Sequence, residues 1–489
     1  MSSTAQAYPL PGYASLRIPA AAFEVLVYLA VVAVASLCFL AGWLTVNGAV
    51  VLTVVLLTSL IVMSWIHLGQ GRHPCFLFLC MLLLFQGGRL IGYCLGAEPE
   101  PMRVQLMGMD TFNFSRNEQG LVLLCVVLSA ICLYAPCRWN YHRILPPDDR
   151  PVRTYLPYLY LVFFATLPIQ AFKNYRYYDY AQQHGGYLYI YLNHAGLASS
   201  VPFIVRFVSL ITFPVFVALF VFEKRKKYLY LVAGLYVATA SFILLLGQRS
   251  TVFALAVSLW YVAQVKSGRK PRVLRSVAFV ATLVLLAVLI QVSRENPEQS
   301  VDISDIVTAP ADFLVLQGAS LGVTQVAVRY RDMFWPYASS YLLHEVQNAF
   351  VASDASNYYR GKLFAFDVSV FLNPVTFSLG QGTGGSYVGE AYILGGVPGV
   401  IAISLLLGAG LRRLYRMSAR ADLLFVVAMI LSDVLWMPRG VLLDWFSAFI
   451  RNLIAILLLI AGWWTYRLIT SIRHMPAGSG SLTVDAGMA

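Results

Sequence analysis

The chain has 489 residues, 59% of them hydrophobic and only 12% charged, with a formal net charge of +12 and a mean hydropathy of +0.70. A charged fraction near half the usual roughly 25% excludes an ordinary soluble domain. Long apolar runs rather than alternating decamers exclude a β-barrel, and the positive balance reads as loop charge of a membrane protein, not as a nucleic-acid surface.

A membrane-crossing helix needs about 20 mostly apolar residues, because its backbone polar groups must pair within the segment. Such runs fall near 22–45, 47–66, 75–97, 120–136, 156–171, 201–222, 228–247, 252–265, 275–292, 386–410, 422–437 and 443–466, which predicts an all-α polytopic bundle of about twelve spans in a single membrane domain, 1–489. The first run is longer than a signal-peptide core and lacks a small-residue cleavage site, so it reads as a retained helix. Alternate connections carry the basic residues: Arg72, then Arg138, Arg143, Arg150 and Arg153, the 223–227 cluster, the stretch from Lys266 to Arg275, the group from Arg412 to Arg420, and the tail. The positive-inside rule places that side, and both termini, in the cytoplasm.

Three connections remain outside: 98–119, a Tyr-rich loop at 172–200, and a large segment at 293–385. Within the last, 313–328 and 337–351 read as external amphipathic helices, because Gln317, Gln325, His344 and Gln347 interrupt their apolar faces; if both spanned, the parity would survive.

The seven cysteines fall in the first third at no metal-ligand spacing, so neither disulfide nor zinc is expected. Asp302 and Asp305 alone do not make a metal site, and no metal is predicted. No Walker, Rossmann or kinase motif is present in the sequence, so no cofactor and no use of ATP are expected.

An arginine at membrane depth needs a partner, a water cavity or a task. Arg89, Arg206, Arg249, Arg294 and Arg439 come from separate stretches yet share the outward-facing level, where the orientation rule depletes basic residues. Planar guanidinium forks grip phosphate oxygens in bidentate fashion, so a pyrophosphate would satisfy several together. The rival reading of each is an arginine snorkelling to the headgroups. Nearby, Gly384, Gly385 and Ser386 open the tenth span and would offer backbone amides to an anion, with Tyr392 one turn further in; the alternative is a simple hinge. Glu390 either pairs an arginine or acts as a general base, and His184 is an outward candidate for proton transfer. Tyr187 and Tyr189, within a run of seven tyrosines, suit sugar rings or else an interfacial aromatic belt.

His73-Pro74 with Phe85-Gln86-Gly87-Gly88-Arg89, the turn from Leu246 to Ser250, the segment from Gly384 to Tyr392, and Pro438-Arg439-Gly440 together resemble, in order and depth, the Wzy-type O-antigen repeat-unit polymerases. The resemblance implies a GT-C-like membrane glycosyltransferase of the bacterial inner membrane. It would join undecaprenyl-pyrophosphate-linked glycans at the periplasmic face without nucleotide sugars. It further implies membrane lipids and a Wzz-type chain-length regulator as partners. O-antigen ligase and lipid-linked oligosaccharide flippase are the rival functions.

Overall fold

The computed structural model describes residues 20–97, 113–139, 141–144, 154–245, 249–268, 303–350 and 355–473, with single positions between 100 and 110, at 147 and between 275 and 288. The chain is a helical bundle: α1 (Ala20–Leu40), α2 (Val46–His67), α3 (Pro74–Cys94), α4 (Arg116–Arg138), α5 (Leu156–Gln183), α6 (Phe203–Phe222), α7 (Lys226–Leu245), α8 (Arg249–Ser267), α9 (Ile303–Gln317), α10 (Ala319–Arg329), α11 (Ala338–Gln347), α12 (Phe364–Leu372), α13 (Tyr387–Met417), α14 (Ala421–Trp436) and α15 (Asp444–Arg473). A two-residue antiparallel ladder, Gln105–Leu106 with Met109–Asp110, and a few single-turn helices complete the described elements.

Ten helices are long and apolar enough to cross a membrane. Nine of them coincide with expected spans. The run at 252–265 forms a shorter apolar helix, α14 has 16 residues, and the run at 275–292 lies largely outside the described residues. The tenth, Pro310–Arg329, falls where an amphipathic surface helix was expected. Its polar residues bond inward: Gln317 accepts from Arg439, Gln325 Nε2 donates to the Met102 carbonyl (2.7 Å), and Ser320 to Val328 are buried without interruption. Large apolar side chains such as Val34, Leu37, Val55, Ile66, Leu406 and Leu457 remain exposed on the crossing helices, as a hydrocarbon solvent requires.

Helices α4 and α13 pack along each other at the centre, with α3, α2 and α10 around them, while α5, α6 and α7 form a second group joined through α14 and α15. Close approach depends on glycine at the seam of α3 with α9 and α10. A methyl group at Gly88 would lie 2.5 Å from the Leu314 carbonyl oxygen, and one at Gly318 would collide with the Arg89 backbone. Glycine is tolerated there because packing between membrane helices rewards backbone contact.

The Tyr-rich segment is not a loop over most of its length. With no Gly or Pro between Ile169 and His184, α5 runs on to Gln183, and Gly185 and Gly186, both at positive φ (105° and 80°), end it. At 28 residues α5 is about 42 Å long, well beyond the roughly 30 Å of hydrocarbon. The described residues of 330–377 pack with Phe114, α10 and Ile393 of α13 around a second small core, whose Tyr341 bonds Asp367. Its carboxylate accepts from Tyr341 (2.7 Å), Tyr358 (3.0 Å) and the Gly361 amide (2.9 Å).

Candidate functional site

The glycine-rich segment and the turn joining α14 to α15 lie side by side. The Gly385 amide donates to the Arg439 carbonyl at 2.8 Å and the Tyr387 amide to Met437 at 3.4 Å. Gly384 takes a left-handed φ of 74°, and a side chain at Gly385 would strike the Gly440 carbonyl, so both glycines serve the approach of this turn.

Beneath the contact sits a buried polar node. Gln86 on α3 donates to Ser386 Oγ (2.8 Å) and to the Pro438 carbonyl (3.0 Å), while Thr324 on α10 bonds both Gln86 (3.1 Å) and Ser386 (2.8 Å). Ser386 also caps α13 by accepting from the Gly389 amide at 3.1 Å. Four separated stretches are thereby fixed at one point, and a satisfied buried network of this kind rigidifies its surroundings.

Arg439 leaves this node toward α9. Its Nη1 donates to Gln317 Oε1 at 2.7 Å and its guanidinium carbon lies 5.8 Å from the centre of the Phe85 ring. Arg89, only 3% exposed, sits one turn along α3 from Phe85 at the Gly318 seam. The two arginines expected at 89 and 439 are thus brought to the same region. Arg206 stands elsewhere, over the Phe203 ring at 5.9 Å. Arg249 begins α8, with a side chain outside the described residues, as is Arg294 altogether.

Glu390 lies in the first turn of α13, 4% exposed, and its Oε2 accepts from the Leu442 amide at 2.6 Å. Sequence reasoning missed its neighbour. Glu345, on α11 and 1% exposed, accepts from the next amide, Leu443, at 2.5 Å, which brings the two buried carboxyl groups together. Burial raises the Glu345 carboxyl to about 7, opposed by the Leu443 amide and raised further by Asp444. Two carboxyls in such contact hold a proton between them. Asp444 and Asp433 extend the acidic cluster, with Arg451 as the nearby positive charge. A carboxylate inside the apolar run at 422–437 was a visible signal for Asp433; Glu345 gave none beyond its place in a helical pattern.

The short segment after α5 forms a separate aromatic group. His184 is exposed, bonds the Tyr180 carbonyl through Nδ1 (2.8 Å), and lies between the rings of Tyr180 (4.1 Å) and Tyr189 (5.0 Å). This group borders the glycine-rich segment, since a side chain at Gly380 would meet the Leu188 carbonyl at 2.5 Å. The Tyr187 side chain lies outside the described residues.

Tyr392 offers its carbonyl to Arg331 Nε (3.2 Å) just before α13 breaks at Gly395 and Gly396, where φ/ψ depart from helical values. Glu390 therefore belongs to a short first half-helix. His73, Cys75 and Cys137 offer ligand atoms within 4.8 Å of one another, a proximity that the sequence spacing concealed. Two of those atoms are already engaged: His73 Nδ1 accepts from the Cys75 amide and Cys137 donates to the Gly408 carbonyl. The trio reads as a helix start locked onto α13.

The family described as O-antigen polysaccharide polymerase Wzy matches residues 23–467, so it covers every element of the node, the carboxyl pair and the bundle around them. No curated protein and no solved structure matches the chain. With nearly its whole length matched, this multi-pass membrane protein belongs to the O-antigen polysaccharide polymerase Wzy family.

Proposed function

We propose that the region where α3, α9, the glycine-rich segment and the turn from Pro438 to Leu443 meet transfers a glycan from undecaprenyl pyrophosphate to the terminal hydroxyl of a second lipid-linked repeat unit, at the periplasmic face of the inner membrane. The acceptor oxygen attacks the anomeric carbon, the bond from that carbon to the diphosphate oxygen breaks, and the diphosphate leaves with the electron pair. Glu390 takes the hydroxyl proton and Glu345 shares it. Arg439 and Arg89 stabilise the charge that grows on the leaving group, with the Gly384–Ser386 backbone alongside. Arg206, Arg249 and Arg294 are assigned to the same anion's path at the outer level, and His184 with Tyr189 and Tyr187 to the glycan. Because the donor is already activated, nucleotide sugar is not needed.

The observation that carries this reading is that Glu390 accepts from the Leu442 amide, three residues along the chain from Arg439, which ties the base to the turn that carries the cation. The test is electrophoresis of surface glycan from a deletion strain carrying Glu390→Gln or Arg439→Ala. Loss of the long ladder, with a single repeat unit still attached to the core, is expected. Loss of all attached glycan with polymer retained on the lipid carrier would instead make the protein a ligase. Repeat units trapped in the cytoplasmic leaflet would make it a flippase.

A further inference from the structure

A second cluster lies at the far end of the bundle. From Gln86 at the polar node, α3 runs back 12 residues to Pro74, about 18 Å along the helix axis. There α2 ends in a turn with three successive positive φ angles, Gly69 (82°), Gln70 (57°) and Gly71 (82°), which delivers Arg72 and His73 inward. Arg72 is 6% exposed and His73 fully buried. A cavity of about 140 Å³ opens beside them, lined among others by His73, Tyr141, Arg143, Arg412, Tyr415 and Arg416. One water needs about 10–15 Å³ of such space, so the cavity is several times larger than a single solvent site.

The electrostatics of this cavity are unbalanced. Among the described residues no carboxylate lines it and none pairs with Arg72, Arg143, Arg412 or Arg416. Arg72 Nε and Nη2, Arg412 Nε and His73 Nε2 are buried with no hydrogen-bond partner among those residues. His73 is a neutral imidazole, since burial and then the Arg412 charge push it down to about 3. Because Nδ1 accepts the Cys75 amide (3.1 Å), the proton sits on Nε2, a donor facing the cavity. The walls are tied together: the Tyr415 ring packs tilted against His73 (4.5 Å between centroids), and its hydroxyl bonds Tyr141 (3.0 Å) and accepts from the Ile144 amide (3.2 Å). Loop arginines in water answer to the orientation rule alone, but buried guanidinium nitrogens without acceptors do not.

We infer that this cavity is an anion site for a phosphate-bearing group, distinct from the proposed transfer site, with Arg412 and His73 as its inner donors, Arg143 and Arg416 at its mouth, and the Arg72 charge adjoining its wall. Two sources share that chemistry: the headgroup of an anionic lipid and a soluble phosphate ion. The inference does not rest on the transfer reaction.

The experiment is thermal unfolding of the full-length protein in neutral detergent, followed by tryptophan fluorescence, with added phosphatidylglycerol, phosphatidylcholine or inorganic pyrophosphate. A saturable rise in Tm with phosphatidylglycerol but not phosphatidylcholine is expected for a lipid site, and a rise with pyrophosphate alone for a soluble anion. Arg143→Gln, at an exposed position that tolerates the change, should weaken the half-saturation about tenfold, whereas Arg413→Gln, outside the cavity, should leave it unchanged. Arg412→Gln should abolish the rise; if that variant does not fold, Arg143→Gln decides. No rise with any anionic probe, or a rise that Arg143→Gln and Arg412→Gln leave intact, overturns the inference.

Discussion

Glu345→Gln isolates the carboxyl pair, and its effect follows from the geometry. The folded Glu345 carboxyl keeps its proton up to about 7, mainly because it is buried, while an unfolded chain releases it near 4.3. Between those values the folded state binds a proton that the unfolded state does not, so this group's contribution is fully present below about pH 4 and fades as pH rises to 7. The interval corresponds to about 4 kcal/mol, an upper figure because the Leu443 amide and the neighbouring carboxyl share the work. Glutamine keeps the acceptor for the Leu443 amide and can donate to Glu390, but it cannot titrate. Thermal midpoints of wild type and variant, measured side by side from pH 4 to 8 in detergent, should therefore diverge, with the wild type losing more stability toward neutral pH. Glu390 and Asp444 act on Glu345 and respond to its replacement, so the divergence reads the coupled carboxyl group and not Glu345 alone. Parallel curves would refute a shared proton in this pair.

Other substitutions test other links. Ser386→Ala removes a helix cap and leaves Gln86 and Thr324 short of a partner, and should destabilise by about 1–3 kcal/mol in denaturant or thermal unfolding. Gly88→Ala places a methyl group 2.5 Å from the Leu314 carbonyl and should cost about 1–3 kcal/mol, read as lowered Tm, with loss of the long glycan ladder if the seam positions Arg89. Arg439→Lys keeps the charge and loses the fork; polymer yield should fall at least about tenfold, and a lysine variant of full activity would remove the bidentate argument. Gly396→Ala forces an L residue to a φ of 61°, costing about 1–2 kcal/mol and lowering Tm accordingly.

The crossing helices were legible because each is a long apolar run, but their ends were not: the capping box of Ser115 and Glu118 starts α4 at Arg116, before the apolar run at 120. A polar residue that finds its partner in the protein instead of in water is harder to place from sequence. Gln317, Gln325 and Thr324 look like a hydrated stripe in one dimension, and only the fold supplies Arg439, Met102 and Gln86 to satisfy them. The extension of α5 was missed for a different reason: tyrosine density suggested a ligand surface and outweighed the plain absence of a helix breaker. Within the candidate site, Arg439 and the glycine-rich segment could be paired by their shared depth, but Glu345 could not. It comes from a helix 45 residues before Glu390, and no local pattern connects the two.

That connection carries a mechanical meaning. Two side chains from different elements, one on α11 and one on the first half of α13, are clipped to the amides of a single dipeptide, Leu442-Leu443. Neighbouring amides offer no freedom to slide independently, so the dipeptide works as a registration pin between the described part of 330–377 and the membrane bundle. A shift of α11 by one residue would unseat Glu345 and move that part, including Asp367, out of step with Arg439. A single-residue insertion inside α11 should then not be tolerated.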